Sequence, residues 1–485
     1  MDQPRRGTQL DETQLDEPGS EESSLDPGEP TRALAPDIDE PHIDESDAEA
    51  RPSLSLKLPS QITWAELSEL KNSLPPSALV DTDATYLQDA NAFLLRLGRL
   101  LHVQGTDTLR LEEALAACAA RLGVEVQVFS TPTSLFVAVG DERVAQTHLV
   151  RVAPGEVNLA KLADLNQLID GIARGEVSLG DAFERLERVA SAPPHYPAWL
   201  MPLAFGISAA AAACFLRGRL PDVVLSGAIG LLLGCISLWM ARDPSRSRVF
   251  PAVAGAIAGG LASWASRFFP VSDGVTTLAS LIVLLPGLSL TVAMSELATQ
   301  HLMSGTARFA GAVVSLLQLA LGVALSRELI ARLFPQAHPP LAMPPLPAWT
   351  EAVALGLAPV AFAVLFRARK RDIPWIIGTG VLGFSGARLG ASWLGPELGV
   401  LVGAFVVALV SNLLARRLRR PASVTLVPGL VLLVPGSIGF RSLSSFIERD
   451  VMSGTEGIFR MFLVATSLVG GLLLANAVLP PRSQL

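Results

Sequence analysis

Two stretches decide how this chain folds. They are Leu284-Leu285-Pro286-Gly287, followed by Ser304-Gly305-Thr306, and Leu433-Val434-Pro435-Gly436, followed by Ser453-Gly454-Thr455. In each, the serine stands eighteen positions after the proline, and the two copies stand 149 residues apart. Each Pro-Gly interrupts an apolar run of membrane length. Proline removes a helix donor and clashes with the preceding turn, and the backbone groups it frees are tolerated in lipid only where they face protein or a water-filled cavity. Paired Pro/Gly-broken segments at corresponding positions of two halves are the sequence mark of a transporter's binding site.

The two copies belong to a longer repeat. Beyond Pro197, ten apolar runs approach or exceed the length that crosses a bilayer, near 198–216, 222–241, 249–269, 275–295, 307–333, 349–366, 372–393, 396–416, 423–441 and 457–479. Pro197-Ala198-Trp199 matches Pro347-Ala348-Trp349, Gly206 matches Gly356, Arg217 matches Arg367, Asp222 matches Asp372, and Gly230 matches Gly380, all at an offset of 150. Gly322 matches Gly471 at 149. Each half holds five runs. Five is odd, so the second half enters the membrane from the opposite side. The expectation is an α-helical polytopic membrane protein built of two five-helix inverted repeats, 197–335 and 347–480.

Half of the 485 residues are hydrophobic and 17 % are charged, too apolar for an ordinary soluble protein. The charge is unevenly spread. Residues 1–50 hold 16 acids and 3 bases, which leaves 29 acids and 35 bases in 51–485. The net charge of −7 therefore belongs to the N-terminal tail, which carries the tandem TQLDE-TQLDE at 8–17. Residues 1–60 are expected to form a disordered acidic tail without the basic start and apolar stretch of a secretory signal, and 61–84 a linker. Residues 85–190 have the pattern of a small soluble α/β domain. A helical stripe runs through Leu87, Phe93, Leu94, Leu97 and Leu101, and a second helix spans Leu109–Leu122 after the cap Gly105-Thr106-Asp107-Thr108. Short β-type runs follow at 124–129, 134–139 and 148–152, and then two more helices capped by Asn158 and Ser178. The strongest basic clusters, Arg367–Arg371 and Arg416–Arg420, fall on one side of a ten-pass topology, and the positive-inside rule makes that side, with the soluble domain, cytoplasmic.

These residues resemble the bacterial threonine/serine exporter family over 85–480. The soluble part carries Gly105, Arg110-Leu111-Glu112-Glu113-Ala114-Leu115, Leu122-Gly123, Pro132-Thr133 and Asn158-Leu159-Ala160-Lys161-Leu162. The membrane halves carry Leu285-Pro286-Gly287-Leu288-Ser289-Leu290-Thr291 and Pro435-Gly436-Ser437-Ile438-Gly439-Phe440-Arg441-Ser442-Leu443. The resemblance implies a multi-pass protein of the bacterial inner membrane with a cytoplasmic N-terminal domain, exporting small hydroxy-amino acids with proton coupling and without a cofactor. The chain departs from the family pattern at Arg217-Gly218-Arg219, Val292 and Glu296. Relatives split into two polypeptides are associated with dicarboxylate export, so a succinate-like substrate stays open.

A zwitterion such as threonine asks a membrane site for three things: backbone N–H groups at a half-helix start for its carboxylate, carbonyls or a carboxylate for its ammonium, and a hydroxyl for its own. The candidate substrate-binding residues are Pro286, Gly287, Ser289, Thr291, Ser295, Pro435, Gly436, Ser437 and Arg441, and Glu296 is the candidate coupling carboxylate. The plain alternatives are that the breaks kink helices for packing, that Glu296 is a solvated interface residue, and that Arg441 anchors a loop. Asp222 and Asp372 read as helix starts, and Ser304 and Ser453 as caps of the spans they begin. The glycine-rich runs 255–260 and 378–390 suit close helix packing rather than a nucleotide loop. No metal-type spacing, nucleophile–base pair or basic aromatic surface points to a metal, an enzyme or nucleic acid. The expected partners are a small molecule and the lipid bilayer, with a homo-oligomer left open. A membrane-anchored enzyme or sensor using the soluble domain is the competing class.

Overall fold

The computed structural model describes residues 76–140, 145–153, 155–335, 344 and 346–481. All belong to one compact unit, Leu74–Leu485. The expected tail and most of the linker lie outside the described residues.

The soluble part opens with α1 (Pro76–Val103) and α2 (Thr108–Arg121), separated by Gly105 at φ +81°. Three antiparallel strands follow in the order β1 (Val126–Thr131), β2 (Ser134–Val139) and β3 (Gln146–Arg151). Thr131-Pro132-Thr133-Ser134 turns β1 into β2, and the register pairs Phe129 with Phe136 and Phe136 with Leu149. Two helices close the domain, α3 (Leu159–Ala173) and α4 (Leu179–Ser191). Their caps are the expected ones: Asn158 Oδ1 accepts the Lys161 N–H (3.1 Å) and Ser178 Oγ accepts the Asp181 N–H (3.2 Å). Phe93, Leu94, Leu97 and Leu101 of the helical stripe are fully buried against Leu111, Leu115 and Leu135, whereas Leu87 is exposed.

The remainder is helical: α5 (Leu200–Phe215), α6 (Leu220–Met240), α7 (Pro244–Phe268), α8 (Asp273–Ser280), α9 (Gly287–Ala298), α10 (Leu302–Leu333), α11 (Trp349–Leu365), α12 (Ile373–Leu394), α13 (Pro396–Leu418), α14 (Ser423–Val431), α15 (Gly436–Ile447) and α16 (Val451–Val478). Among the described residues, six segments are long and apolar enough to cross a membrane: α6, α7, α10, α13, α16 and the α14–α15 pair taken together. The helices α5, α9 and α11 are apolar but shorter. Trp199, Trp239, Trp264, Trp349, Trp375 and Trp393 are exposed, as amphipathic rings are at membrane–water interfaces.

Several local geometries recur at the repeat offset. Arg217 and Arg367 both close a helix in the left-handed region (φ 55° and 53°), and so do Gln300 and Arg449 (66° and 65°). A methyl group built on Gly322 would stand 2.1 Å from the Ala252 carbonyl oxygen, and one on Gly471 would stand 2.4 Å from that of Leu401. These two contacts hold α7 against α10 and α13 against α16 at backbone distance, the packing that small residues allow in lipid. Asp222 (1 % exposed) accepts the N–H groups of Arg219 (2.7 Å) and Ser272 (2.6 Å), which ties the start of α6 to the start of α8. Asp372 (2 % exposed) pairs with Arg420 and ties the start of α12 to the loop before α14.

Ser304 and Ser453 do not cap. The helices begin earlier, behind His301 and Asp450, and Asp450 Oδ1 takes the Ser453 N–H at 3.1 Å.

Overpacking a close helix contact costs about 1–3 kcal/mol. Gly322→Ala and Gly471→Ala should therefore each lower the thermal unfolding midpoint of the purified protein. Gly356→Ala, where an added methyl meets nothing within 4 Å, should leave it unchanged. Equal midpoints for all three would contradict the backbone contacts.

Candidate functional site

Each Pro-Gly ends one helix and starts another. The chain leaves α8 at Ser280, turns through Leu281–Leu285 and restarts at Gly287; likewise it leaves α14 at Val431 and restarts at Gly436. The first intrahelical bonds are Leu290 N–H to Pro286 O and Gly439 N–H to Pro435 O, both 3.0 Å. The N–H groups of Leu288 and Ser289, and of Ser437 and Ile438, therefore begin α9 and α15 without an intrahelical acceptor.

The two breaks meet. A methyl on Gly287 would lie 3.1 Å from Gly436 N, one on Gly436 would lie 3.1 Å from Gly287 Cα, and Val434 Cγ1 closes the space beside Gly287. An added methyl would be crowded at both positions, most at Gly287, where Val434 Cγ1 would stand 2.1 Å away. Two positive helix ends thus share one small region in the interior, a setting that favours an anion.

Each of the two helices lines a cavity, a near one walled in part by the soluble domain and a far one lined by membrane helices. The near cavity, about 150 Å³, takes Leu288, Thr291, Val292 and Ser295 from α9 and Thr299 just after it, with walls from α14, α16 and the soluble-domain turn at 105–110. The far cavity, about 620 Å³, lies where α13 and α16 begin and takes Ser437, Arg441, Ser442 and Ser445 from α15. There Arg460 is paired with Glu397 (2.8 Å), while Arg441 has no ionic or hydrogen-bonding partner among the described residues. Of the expected residues, Thr291 and Ser295 fall at the near cavity and Ser437 and Arg441 at the far one, while Pro286, Gly287, Pro435 and Gly436 line neither. Ser289 is half-buried and lines neither. Thr291 donates its hydroxyl to Gly287 O (3.1 Å).

Glu296 is 2 % exposed. Its Oε1 accepts from Thr108 N–H (3.2 Å), Thr108 Oγ (3.0 Å) and Arg308 Nη2 (3.1 Å), and its Oε2 accepts from Arg308 Nε (3.0 Å). This carboxylate is where the start of α2 docks on the membrane helices. Around it, Ser304 Oγ donates to Ser130 O (2.6 Å), Glu112 Oε1 accepts the Ser130 N–H (2.9 Å) and His301 Nε2 stands 3.4 Å from Glu112. His102 lies below Ser130 and Pro132, and burial lowers its pKa from the ordinary histidine value, so the ring is neutral at pH 7. The domain also holds the loop after α11: Leu159 N–H donates to Phe366 O (2.9 Å), Arg367 pairs with Glu156 (2.8 Å) and Arg369 pairs with Asp164.

The residues that sequence reasoning passed over as site members are Asp107 and Arg110 of the soluble domain, Thr299, Ser423 and Asn476 at the near cavity, and Glu397, Glu456 and Arg460 at the far one. No local signal marks them; the fold gathers them from distant segments.

Family comparison fits this arrangement. A threonine/serine exporter model matches residues 92–330, and a second, for the threonine/serine exporter ThrE, matches 351–478. The chain belongs to the threonine/serine exporter family. It is a multi-pass membrane protein of a family of transporters. It is similar to pheromone-regulated membrane protein 10 of Eremothecium gossypii, 26 % identical over 421 residues, covering 83 % of this chain and 56 % of that protein. The namesake in Candida albicans strain SC5314 is 26 % identical over 367 residues (72 % and 33 %), and that of Saccharomyces cerevisiae strain YJM789 is 22 % identical over 388 (77 % and 49 %). The chain thus spans a third to a little over half of the length of these relatives. They are fungal, so the expectation of a bacterial inner membrane finds no support among them. No solved structure matches the chain.

Breaking a buried ion pair from one side leaves the other charge uncompensated, at a cost on the order of 3 kcal/mol. Arg308→Ala should therefore destabilise the protein more than Arg308→Ala combined with Glu296→Gln. Thermal unfolding in detergent measures the difference; a double variant no more stable than the single one would remove Glu296 as the docking charge.

Proposed function

We propose that the chain is a secondary exporter of small hydroxy-amino acids, threonine or serine, and that the substrate passes the contact between Gly287 and Gly436. The observation that carries this reading is that contact, two half-helix starts meeting, with a cavity along each of the two helices. The substrate carboxylate is received by the free N–H groups at the starts of α9 and α15, and on the far side by Arg441. Its hydroxyl meets Ser295 or Ser437. Opening alternates between the near and far cavities by rocking one five-helix repeat against the other, within a ten-pass inverted-repeat architecture.

The recurring geometries at offsets of 149 and 150 support the repeat. The soluble domain touches the loops around 299–301 and 366–372, and a ten-pass topology puts both on one face, which the arginine clusters make cytoplasmic. Glu296 is a buried carboxylate beside the near cavity. To carry a coupling proton it must exchange Arg308 and Thr108 for that proton, which would link transport to undocking of the soluble domain. The unpaired Arg441 equally suits a second carboxylate, which favours a dicarboxylate as the alternative cargo.

Efflux from preloaded cells with and without the gene decides between them. Labelled threonine and serine should leave faster with the gene, and labelled succinate should not. Glu296→Gln should flatten the pH dependence of efflux at matched membrane level. Gene-dependent efflux of succinate alone would overturn the substrate, and an unchanged pH profile would overturn the coupling role.

A further inference from the structure

The near cavity is closed by groups that do not belong to the membrane helices. Gly105, Thr106, Asp107, Leu109 and Arg110 line it together with Thr291 and Ser295 of α9 and Thr299 just after that helix. Asp107 and Arg110 stand 3.7 Å apart, with side chains 30 % and 21 % exposed. The Thr106 hydroxyl is buried in the same wall and has no hydrogen-bond partner among the described residues. Thr108, between these residues, is fixed on Glu296 by two hydrogen bonds, which sets the wall's position relative to α9.

We propose that the near cavity is a binding site for an amino-acid zwitterion, half of whose polar wall is the soluble domain. This deepens the export reading and rests on it for the choice of ligand. Asp107 receives the ammonium, Arg110 the carboxylate, and the hydroxyls of Thr106 and Ser295 the hydroxyl of the side chain. The loose Asp107–Arg110 pair offers one charge of each sign at the separation an α-amino acid needs. A dicarboxylate would meet Asp107 uncompensated. The size agrees: a cavity of about 150 Å³ takes a molecule the size of benzene. The soluble domain is then both the inner lid of the pathway and part of its specificity.

The test uses the full chain in proteoliposomes, with Cys118, Cys214 and Cys235 replaced and Val427→Cys placed in the cavity wall. The readout is the rate of thiol labelling by a maleimide. Threonine should slow labelling and succinate should not. Asp107→Asn with Arg110→Gln should raise the threonine concentration needed for half-protection by about tenfold or more, as expected for lost hydrogen bonds to charged groups. Arg110→Lys should keep most of the protection, which separates a charge contact from a folding defect. Equal protection in the wild-type and doubly substituted proteins would overturn the site, and so would better protection by succinate. Export in cells without any threonine protection would overturn the site and leave the exporter reading intact. Protection without export would support the site and remove the exporter reading.

Discussion

The contact between Gly287 and Gly436 is the constraint on which the rest depends. Two helix starts meet there, each just after a proline, and an added methyl at either glycine would be crowded. In lipid the freed N–H groups at these two starts cost several kcal/mol each unless something polar reaches them. Each of the two helices lines a cavity, one walled in part by the soluble domain and one lined by membrane helices. A pair of kinks made only for packing would need neither cavity. Packing elsewhere is tight enough to keep the two breaks in register: Gly322 and Gly471 bring helices together at backbone distance, and Asp222 and Asp372 hold the starts of the broken segments.

The second consequence concerns the soluble domain. It is not tethered beside the membrane part but locked to it through Thr108 and Glu296, Ser130 and Ser304, and Asp164 and Arg369. Glu296 lies on the helix that starts at the first break, so any movement of α9 must strain or release these bonds.

Much of this was legible in the chain because its signals are local or periodic. Pro286-Gly287 and Pro435-Gly436 are visible as breaks, and the offset of 149 makes them partners; that they touch is seen only in the folded chain. The caps at Asn158 and Ser178 were readable for the same reason. Ser304 misled because its neighbourhood looks like a helix start, whereas His301 already provides one and the serine is free to bind Ser130 O. The solvated role weighed for Glu296 gives way to burial because Thr108, 188 residues earlier, comes to it only in the folded molecule. Asp107 and Arg110 looked like an ordinary helix start and its surface, and nothing in their local sequence places a cavity beside them.

The central claim is that substrate crosses at the glycine contact. Exchange of labelled threonine by the purified full chain in proteoliposomes tests it most directly, comparing wild type with Gly436→Ala at equal reconstituted amount. The account predicts gene-product-dependent exchange that the single added methyl abolishes while the protein remains folded in the membrane. Undiminished exchange by the Gly436→Ala protein would contradict it.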